Sequence, residues 1–347
     1  MNLFALDSSL NMICQIKNTI VIMWIRRYYE CGEFSVYMPA VDYSIDMAYI
    51  YTPDRLETGI IQKVQYDDKL SGEYITLSGF FLEKRLDDRI IYPRYRGSGN
   101  IESIGRSLIT SYGSDIPKLT LGAASGHGTT ISMQETGAEL GKRIYKLYQT
   151  QEMSFRLNYV FTDDKIYFET YQGLDRTQGQ SVNNFVVFSK GFHNVSNVQY
   201  IHDISNHKNY AVIGGEGEGT NRTYVIVDKS DSGLKRMIFV DARNLQMDSA
   251  QTQAEYESDL KQRGNEALDD YQIVESLDFD VIANSGYKYR VDYDLGDKCD
   301  IVISKLGLSY SARIVEAREV IKENYSTVEL LVGSKTPTLY KKIKMEA

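Results

Sequence analysis

Apolar and polar residues alternate along most of this chain, and that period of two predicts strand after strand. Strands are expected over residues 13–25, 33–38, 59–66 and 74–77. Pro39 stops the second of them and the polar run 67–72 turns the chain back, as in an antiparallel meander or barrel. The period then changes. Asn100 stands as an N-cap before the helical stripe Ile101, Ile104, Leu108 and Tyr112, which Gly113 ends. A glycine-rich loop, 121–128, leads to Thr136 and Glu139 at capping-box spacing, ahead of the apolar face Leu140, Ile144, Leu147 and Tyr148. Strands over 153–160 and 165–171 complete a small α/β unit spanning 91–180.

Beyond the polar linker 173–183 the strand pattern returns. Residues 209–213 run through Gly214, Gly215, Gly217 and Gly219 into 222–228, a hairpin with a flexible tip, and 236–241 continues its sheet. Thr252 and Glu255 box the start of a polar helix reaching about residue 271. Strands over 275–283, 288–293, 299–303 and 311–332 follow. Within them, 287–303 reads as a hairpin turning at Leu295, Gly296 and Asp297. The fold class is α+β and mostly β, with two antiparallel barrels, 1–90 and 181–347, flanking the α/β domain 91–180. One internal repeat supports this. Residues 59–79, GIIQKVQYDDKLSGEYITLSG, and 313–333, RIVEAREVIKENYSTVELLVG, share two strands, an acidic turn, a tyrosine opening the second strand and a closing glycine, as a duplicated barrel would leave.

A chain of 347 residues builds its own cores without metal or disulfide staples. Cys14, Cys31 and Cys299 are odd in number and lack CxxC spacing, which fits inert thiols in a reducing compartment. The longest apolar run, 19–25, is far short of the ~20 residues a membrane helix needs, and no export leader is read at the N-terminus. A net charge of -8 argues against general affinity for nucleic acid or anionic lipid. The 27 tyrosines against 12 phenylalanines suit strand surfaces first and interfaces second.

The motifs that resemble chemistry fail on spacing. Asp292, Asp294 and Asp297 suggest a calcium loop, but the sixth and twelfth positions hold Asp297 and Ile303 where Gly and Glu are needed. Gly137 to Arg143 is one spacer short of a phosphate loop and carries Arg where a magnesium-holding hydroxyl belongs. Glu216 and Glu218 would repel a pyrophosphate from the glycine run around them. His202 and His207 are five apart, unlike the i,i+4 pair of a zinc protease. The acid pairs Asp67/Asp68, Asp87/Asp88, Asp163/Asp164 and Asp269/Asp270 read as solvated turns and helix surface. No G-x-S-x-G elbow occurs. No catalytic, cofactor-binding or metal-ligating residue is assigned, and no cofactor is expected.

The ordered landmarks Gly32-Glu33-Phe34-Ser35-Val36-Tyr37-Met38-Pro39, then 59–79 leading to Leu86-Asp87-Asp88-Arg89, then Asn209 to Gly217, Arg236 to Arg243 and Tyr293 to Asp297 together resemble the siphophage-type tail hub proteins. These are distant relatives of the trimeric baseplate hub of contractile tails and type VI secretion spikes. The resemblance implies two tube-forming barrels per chain, so that three chains mimic a six-fold tail tube with the α/β unit outside. It implies a structural, non-enzymatic protein of the virion tail, assembled in the bacterial host cytoplasm, at the distal end of a tube through which DNA passes. Its expected partners are two more copies of itself, the distal tail protein, the tape-measure protein and receptor-binding or fibre proteins. Tight nucleic-acid binding is not expected, and Glu216 and Glu218 are candidates for an acidic lumen or a loop near it. The residues after the last strand, 335–347, are too few for a lysin domain. Two other classes remain open, a tail-associated cell-wall hydrolase and a host-glycan-binding adhesin.

Overall fold

The computed structural model describes residues 1–333 except 232, 250, 283–285 and 324. The tail 335–347 and the end of the strand expected to reach 283 lie outside the described residues.

Eight strands form the spine of the large sheet. In chain order they are β1 (Val21–Arg27), β2 (Glu33–Pro39), β3 (Lys63–Lys69), β4 (Gly72–Phe80), β5 (Val195–Asp203), β6 (Val274–Val281), β7 (Leu308–Lys322) and β8 (Tyr325–Gly333). Their order across the sheet is β5-β6-β8-β7-β1-β2-β4-β3, and every neighbouring pair is antiparallel. The first half, β1-β2-β4-β3, and the second, β5-β6-β8-β7, therefore have the same strand order, placed head to tail and joined where β7 pairs β1. The two sequence-related segments supply the hairpins β3-β4 and β7-β8.

Strand alternation explains the two faces of this sheet. In the first half Ile22, Trp24, Phe34, Val36, Met38, Ile75 and Leu77 are buried beneath a smaller sheet of Leu3–Leu6, Met12–Ile16, Tyr49–Tyr51 and Gly59–Ile60. Residues between them, such as Met23, Ser35, Tyr37 and Thr76, stay partly open on the other face. In the second half Leu277, Phe279, Ala317, Leu330 and Val332 pack with Val186, Phe188, Tyr293 and Ile301. β7 is the pivot of the fold: residues 308–313 pair with Lys298–Ile303, and residues 316–322 leave that strand for β1. Because β7 crosses to β1, the two halves share one continuous layer. In place of two closed barrels, no sheet among the described residues closes on itself.

Two smaller units flank this layer. Helices Ile101–Tyr112 and Leu140–Gln149 cover the sheet Leu119–Leu121, Lys165–Tyr171 and Ser154–Val160, where the expected strand pair forms. Asn100 caps the first helix by accepting from the Glu102 N–H at 2.9 Å, and Gly113 ends it. The expected Thr136/Glu139 box does not form. Instead the helix begins at Leu140, whose N–H donates to the Arg89 carbonyl at 2.8 Å. Further on, Tyr224–Asp228, Tyr210–Gly214 and Met237–Asp241 form a separate three-stranded sheet against helix Gln253–Asp269, whose Thr252/Glu255 capping box is present.

Three expected strands are redrawn, and 59–66 is one of them, divided into Gly59–Ile60 of the smaller sheet and β3 of the large one. The run 13–25 divides into Met12–Ile16 and β1, which belong to different sheets. The 287–303 hairpin is absent; only Lys298–Ile303 is a strand. Its first arm turns because Asp292 accepts from the Lys288 N–H at 2.6 Å and Arg290 adopts a positive φ of 66°. The alternating Tyr289 and Tyr293 pack on each other and into the core instead of pairing along a ladder.

Candidate assembly interface

The seam between β7 and β1 shows what joins one half to the other. Glu316 lies opposite Arg27, Ala317 opposite Arg26 and Glu319 opposite Trp24. On the buried face, Arg26 contacts Glu57 at 2.6 Å and donates to the Tyr289 hydroxyl at 2.8 Å and to Asp294. Trp24 donates its indole N–H to Glu57 at 3.1 Å. Glu319 accepts from Arg290 and Arg55, each at 2.8 Å. The first half provides Arg26, Glu57 and Arg55, and the second provides Tyr289, Arg290, Asp294 and Glu319, so this cluster ties the halves together. On the opposite face Arg27 bridges Glu316 at 2.8 Å and Glu33 at 2.6 Å.

Burial alone would push the Glu57 carboxyl up, but Arg26, Arg290 and the Trp24 donor hold it at about 2. Glu83, close by on a water-sized cavity of about 20 Å³ shared with Arg26 and Glu57, goes the other way. Burial raises it to about 7, only partly countered by the Leu157 N–H at 2.9 Å, and its Oε2 has no hydrogen-bond partner among the described residues. Between its ordinary value of 4.5 and about 7, folded Glu83 keeps a proton that the unfolded chain has lost. Its contribution to stability therefore falls as pH rises through that window, by roughly 1.4 kcal/mol per unit at most. Glu83→Gln cannot ionise. Its thermal midpoint should gain on the wild type from pH 5 to pH 8, and a gap that stays constant with pH would refute the assignment.

Among the described residues the sheet has two free edges, β3 and β5. On β3 the core-side residues Val64 and Tyr66 are 42% and 54% exposed. Ala317 and Glu319, which hold the matching places on β7, are 0% and 6% exposed because β1 covers them. Lys63, Asp67, Asp68 and Lys69 place charge along the same edge, which discourages indiscriminate strand pairing.

The residues singled out by motif are spread through the scaffold. Asp294 joins the seam cluster, while Asp297 is buried, pairing with Arg176 at 2.6 Å and accepting from the Leu174 N–H at 2.8 Å. Arg143 is enclosed between Glu135 at 2.6 Å and Glu266 at 3.0 Å, so the glycines before it frame an ion pair. The glycine tip is anchored: Arg222 donates to the Gly214 and Gly215 carbonyls, and the Glu216 N–H donates to the Tyr256 hydroxyl at 2.7 Å. Glu216 and Glu218 thus belong to the three-stranded unit and not to the large sheet. His202 lies on β5, and His207 places its ring against the Tyr271 carbonyl at 3.2 Å. Asp87 pairs with Lys84, Asp164 with Lys118, Asp269 with Lys229 and Asp270 with Lys146. Cys31 and Cys299 have thiols pushed up by burial.

Sequence reasoning missed the seam cluster. Its one visible signal is Arg26-Arg27 ending an otherwise apolar strand; Glu33 meets Arg27 from nearby, but Glu57, Asp294 and Glu316 reach the pair from distant parts of the chain. It also missed an exposed apolar face on the three-stranded sheet, where Tyr224, Ile226, Met237 and Phe239 are each more than half exposed and Arg222 lies over the rings of Tyr224 and Phe239.

The same architecture occurs in solved structures. A tail protein from Neisseria meningitidis MC58 matches with a TM-score of 0.61 at 14% identity, over 96% of each chain. Prophage tail protein gp18 from Listeria monocytogenes EGD-e matches at 0.60 and 11% identity, over 100% of this chain and 98% of its own. The 43 kDa tail protein of prophage MuSo2 from Shewanella oneidensis matches at 0.57 and 13% identity, over 96% and 98%. At these identities the likeness speaks for the fold. No curated protein matches the chain. A sequence model of the family described as Siphovirus ReqiPepy6 Gp37-like protein matches residues 2–334. With a fold shared by phage tail proteins and a family match over residues 2–334, the chain belongs to the siphovirus ReqiPepy6 Gp37-like family.

Proposed function

We propose that this is a structural, non-enzymatic protein of the phage or prophage tail, forming the hub at the distal end of the tail tube. Three copies form a ring through which DNA passes. The observation that carries this reading is the doubled strand order β1-β2-β4-β3 and β5-β6-β8-β7. A chain whose sheet already consists of two like halves, joined edge to edge, has two unlike free edges, and unlike edges build rings by head-to-tail contact. Three such chains present six like units around an axis. The large-sheet strands within 1–90 and 181–347 are the tube-forming parts of this arrangement, with 91–180 as the outer α/β domain. The distal tail, tape-measure and receptor-binding or fibre proteins are its neighbours in the virion tail, and assembly takes place in the host cytoplasm.

The open face of the large sheet suits a passage for DNA. It mixes Glu33, Asp67, Asp278 and Asp280 with Lys63, Lys69 and Lys322, a balance without the basic stripe that would hold phosphates. Light scattering across protein concentration, alone and with the adjoining tail proteins, tests the ring. A mass of three chains in either condition is the expected result, and a monomer in both refutes it. A second reading, a host-glycan-binding adhesin, is favoured by the exposed Tyr224 and Phe239 face, since sugars stack on such rings; binding to a glycan array would distinguish it.

A further inference from the structure

The seam inside the chain specifies the seam between chains. Lys69 pairs with Gly72 and Lys322 with Tyr325, so both hairpins close with two residues between their paired ends. Aligned on those turns, β3 matches β7 residue for residue, with Lys63 at the place of Glu316 and Tyr66 at the place of Glu319. This register differs by one from the alignment that the two sequences suggest. The two cores support it, since Leu77 in the first half and Leu330 in the second fall at the same place and each is wholly buried. Leu77 pairs with Val36 and Leu330 with Phe279, which aligns β2 with β6. Trp24 pairs with Phe34, and Tyr200 with Leu277, which aligns β1 with β5. Tyr200 therefore stands where Trp24 stands, Ile201 where Ile25 stands, and Asp203 where Arg27 stands.

We propose that β3 of one copy pairs antiparallel with β5 of a second copy in the register that β7 and β1 use within the chain. This rests on the ring reading above and names its contact. Gln65 lies opposite Ile201, Tyr66 opposite Tyr200, and Lys63 opposite Asp203. Three features carry it. The exposed Val64 and Tyr66 are covered, as Ala317 and Glu319 are covered by β1. The Glu316–Arg27 ion pair at the rim of the inner seam is replaced by Lys63 and Asp203, with the signs exchanged and the attraction kept. The bulge between Ser196 and Gln199 ends the pairing at Gln199, limiting the contact to 63–67 against 199–203.

The test uses the full chain with Cys14→Ser, carrying Gln65→Cys and Ile201→Cys, oxidised under the conditions that assemble it. The two positions stand at opposite edges of the sheet, so a disulfide between them joins copies. Covalent dimers and trimers are expected from this pair and not from Lys69→Cys with Ile201→Cys. Lys63→Asp should weaken assembly at least tenfold without moving the thermal midpoint of the monomer, and Lys63→Asp with Asp203→Lys should restore it. A trimer by light scattering that neither cross-links nor responds to the charge exchange would overturn this contact and leave the ring standing. A chain that stays monomeric with its tail neighbours present would overturn both.

Discussion

Arg26→Met should destabilise the protein by about 3–5 kcal/mol, the cost of leaving a buried charge without its partner. Arg26 and Glu57 are both under 10% exposed. Without the guanidinium, Glu57 keeps the Trp24 indole N–H, its own backbone N–H and a long contact to Arg290 at 3.6 Å. The loss is expected as a lower urea midpoint, accompanied by increased proteolysis in the loops bearing Glu57 and Asp294, because both are held by Arg26. Adding Glu57→Gln should recover a substantial part, since an amide needs no counter-charge. Acid provides a second check. Wild-type Glu57, held at about 2, contributes stability above its ordinary 4.5 that is lost as pH falls through about 2. In Arg26→Met that acid-dependent loss should shrink. A variant as stable as the wild type would mean that the halves are held by the β7–β1 ladder alone.

Much of the sheet was legible because alternation is a local property. β2 shows it plainly: Phe34, Val36 and Met38 face inward and Ser35 and Tyr37 outward, in the order the sequence spells. The Asn100 and Thr252 caps were legible for the same reason, since a cap and its target lie within three residues. What failed was every step in which a distant partner outweighs a local preference. Thr136 and Glu139 have capping-box spacing, yet the carbonyl of Arg89 takes the Leu140 N–H and Glu139 pairs with Lys142. Tyr287 to Tyr293 alternate like a strand, yet their rings complete the core around Phe188.

The expected barrels illustrate the same limit at the level of topology. Each half has four antiparallel strands in the same order, but whether a sheet curls closed or continues into its neighbour depends on the partner chosen by β7. Residues 308–313 have one partner and 316–322 another, with the register shift between Ile314 and Glu316 beside the change. The candidate interface was hidden for a related reason. An edge strand is recognised by what does not pair with it, and Lys63 to Lys69 carries the same alternation as the covered strands.

Gly79→Val should cost more than about 3 kcal/mol, at the upper end for overpacking, because the obstruction is backbone and not a side chain that can swing away. A Cβ at residue 79 would stand 1.9 Å from the Ile60 carbonyl oxygen and 3.0 Å from the Gln62 nitrogen. Relief requires the Gly59–Ile60 strand to move off β4, breaking the Gln62 N–H bond to the Ser78 carbonyl at 3.0 Å. The closing glycine of the second related segment meets the same obstacle: a Cβ at Gly333 would stand 2.2 Å from the Glu275 carbonyl oxygen. Gly333 also has a φ of 89°, so Gly333→Ala should add the strain of a left-handed conformation, about 1 kcal/mol or more. Aligned on the hairpin turns the two glycines stand one place apart, so each is kept free of a side chain by a different neighbouring carbonyl, that of Ile60 for Gly79 on β4 and that of Glu275 for Gly333 on β8. Gly179→Ala is the control, with only the Thr177 hydroxyl nearby at 3.6 Å and no positive φ; it should be neutral or slightly stabilising. Equal urea midpoints for Gly79→Val and Gly179→Ala would remove close backbone approach as the reason for glycine at residue 79.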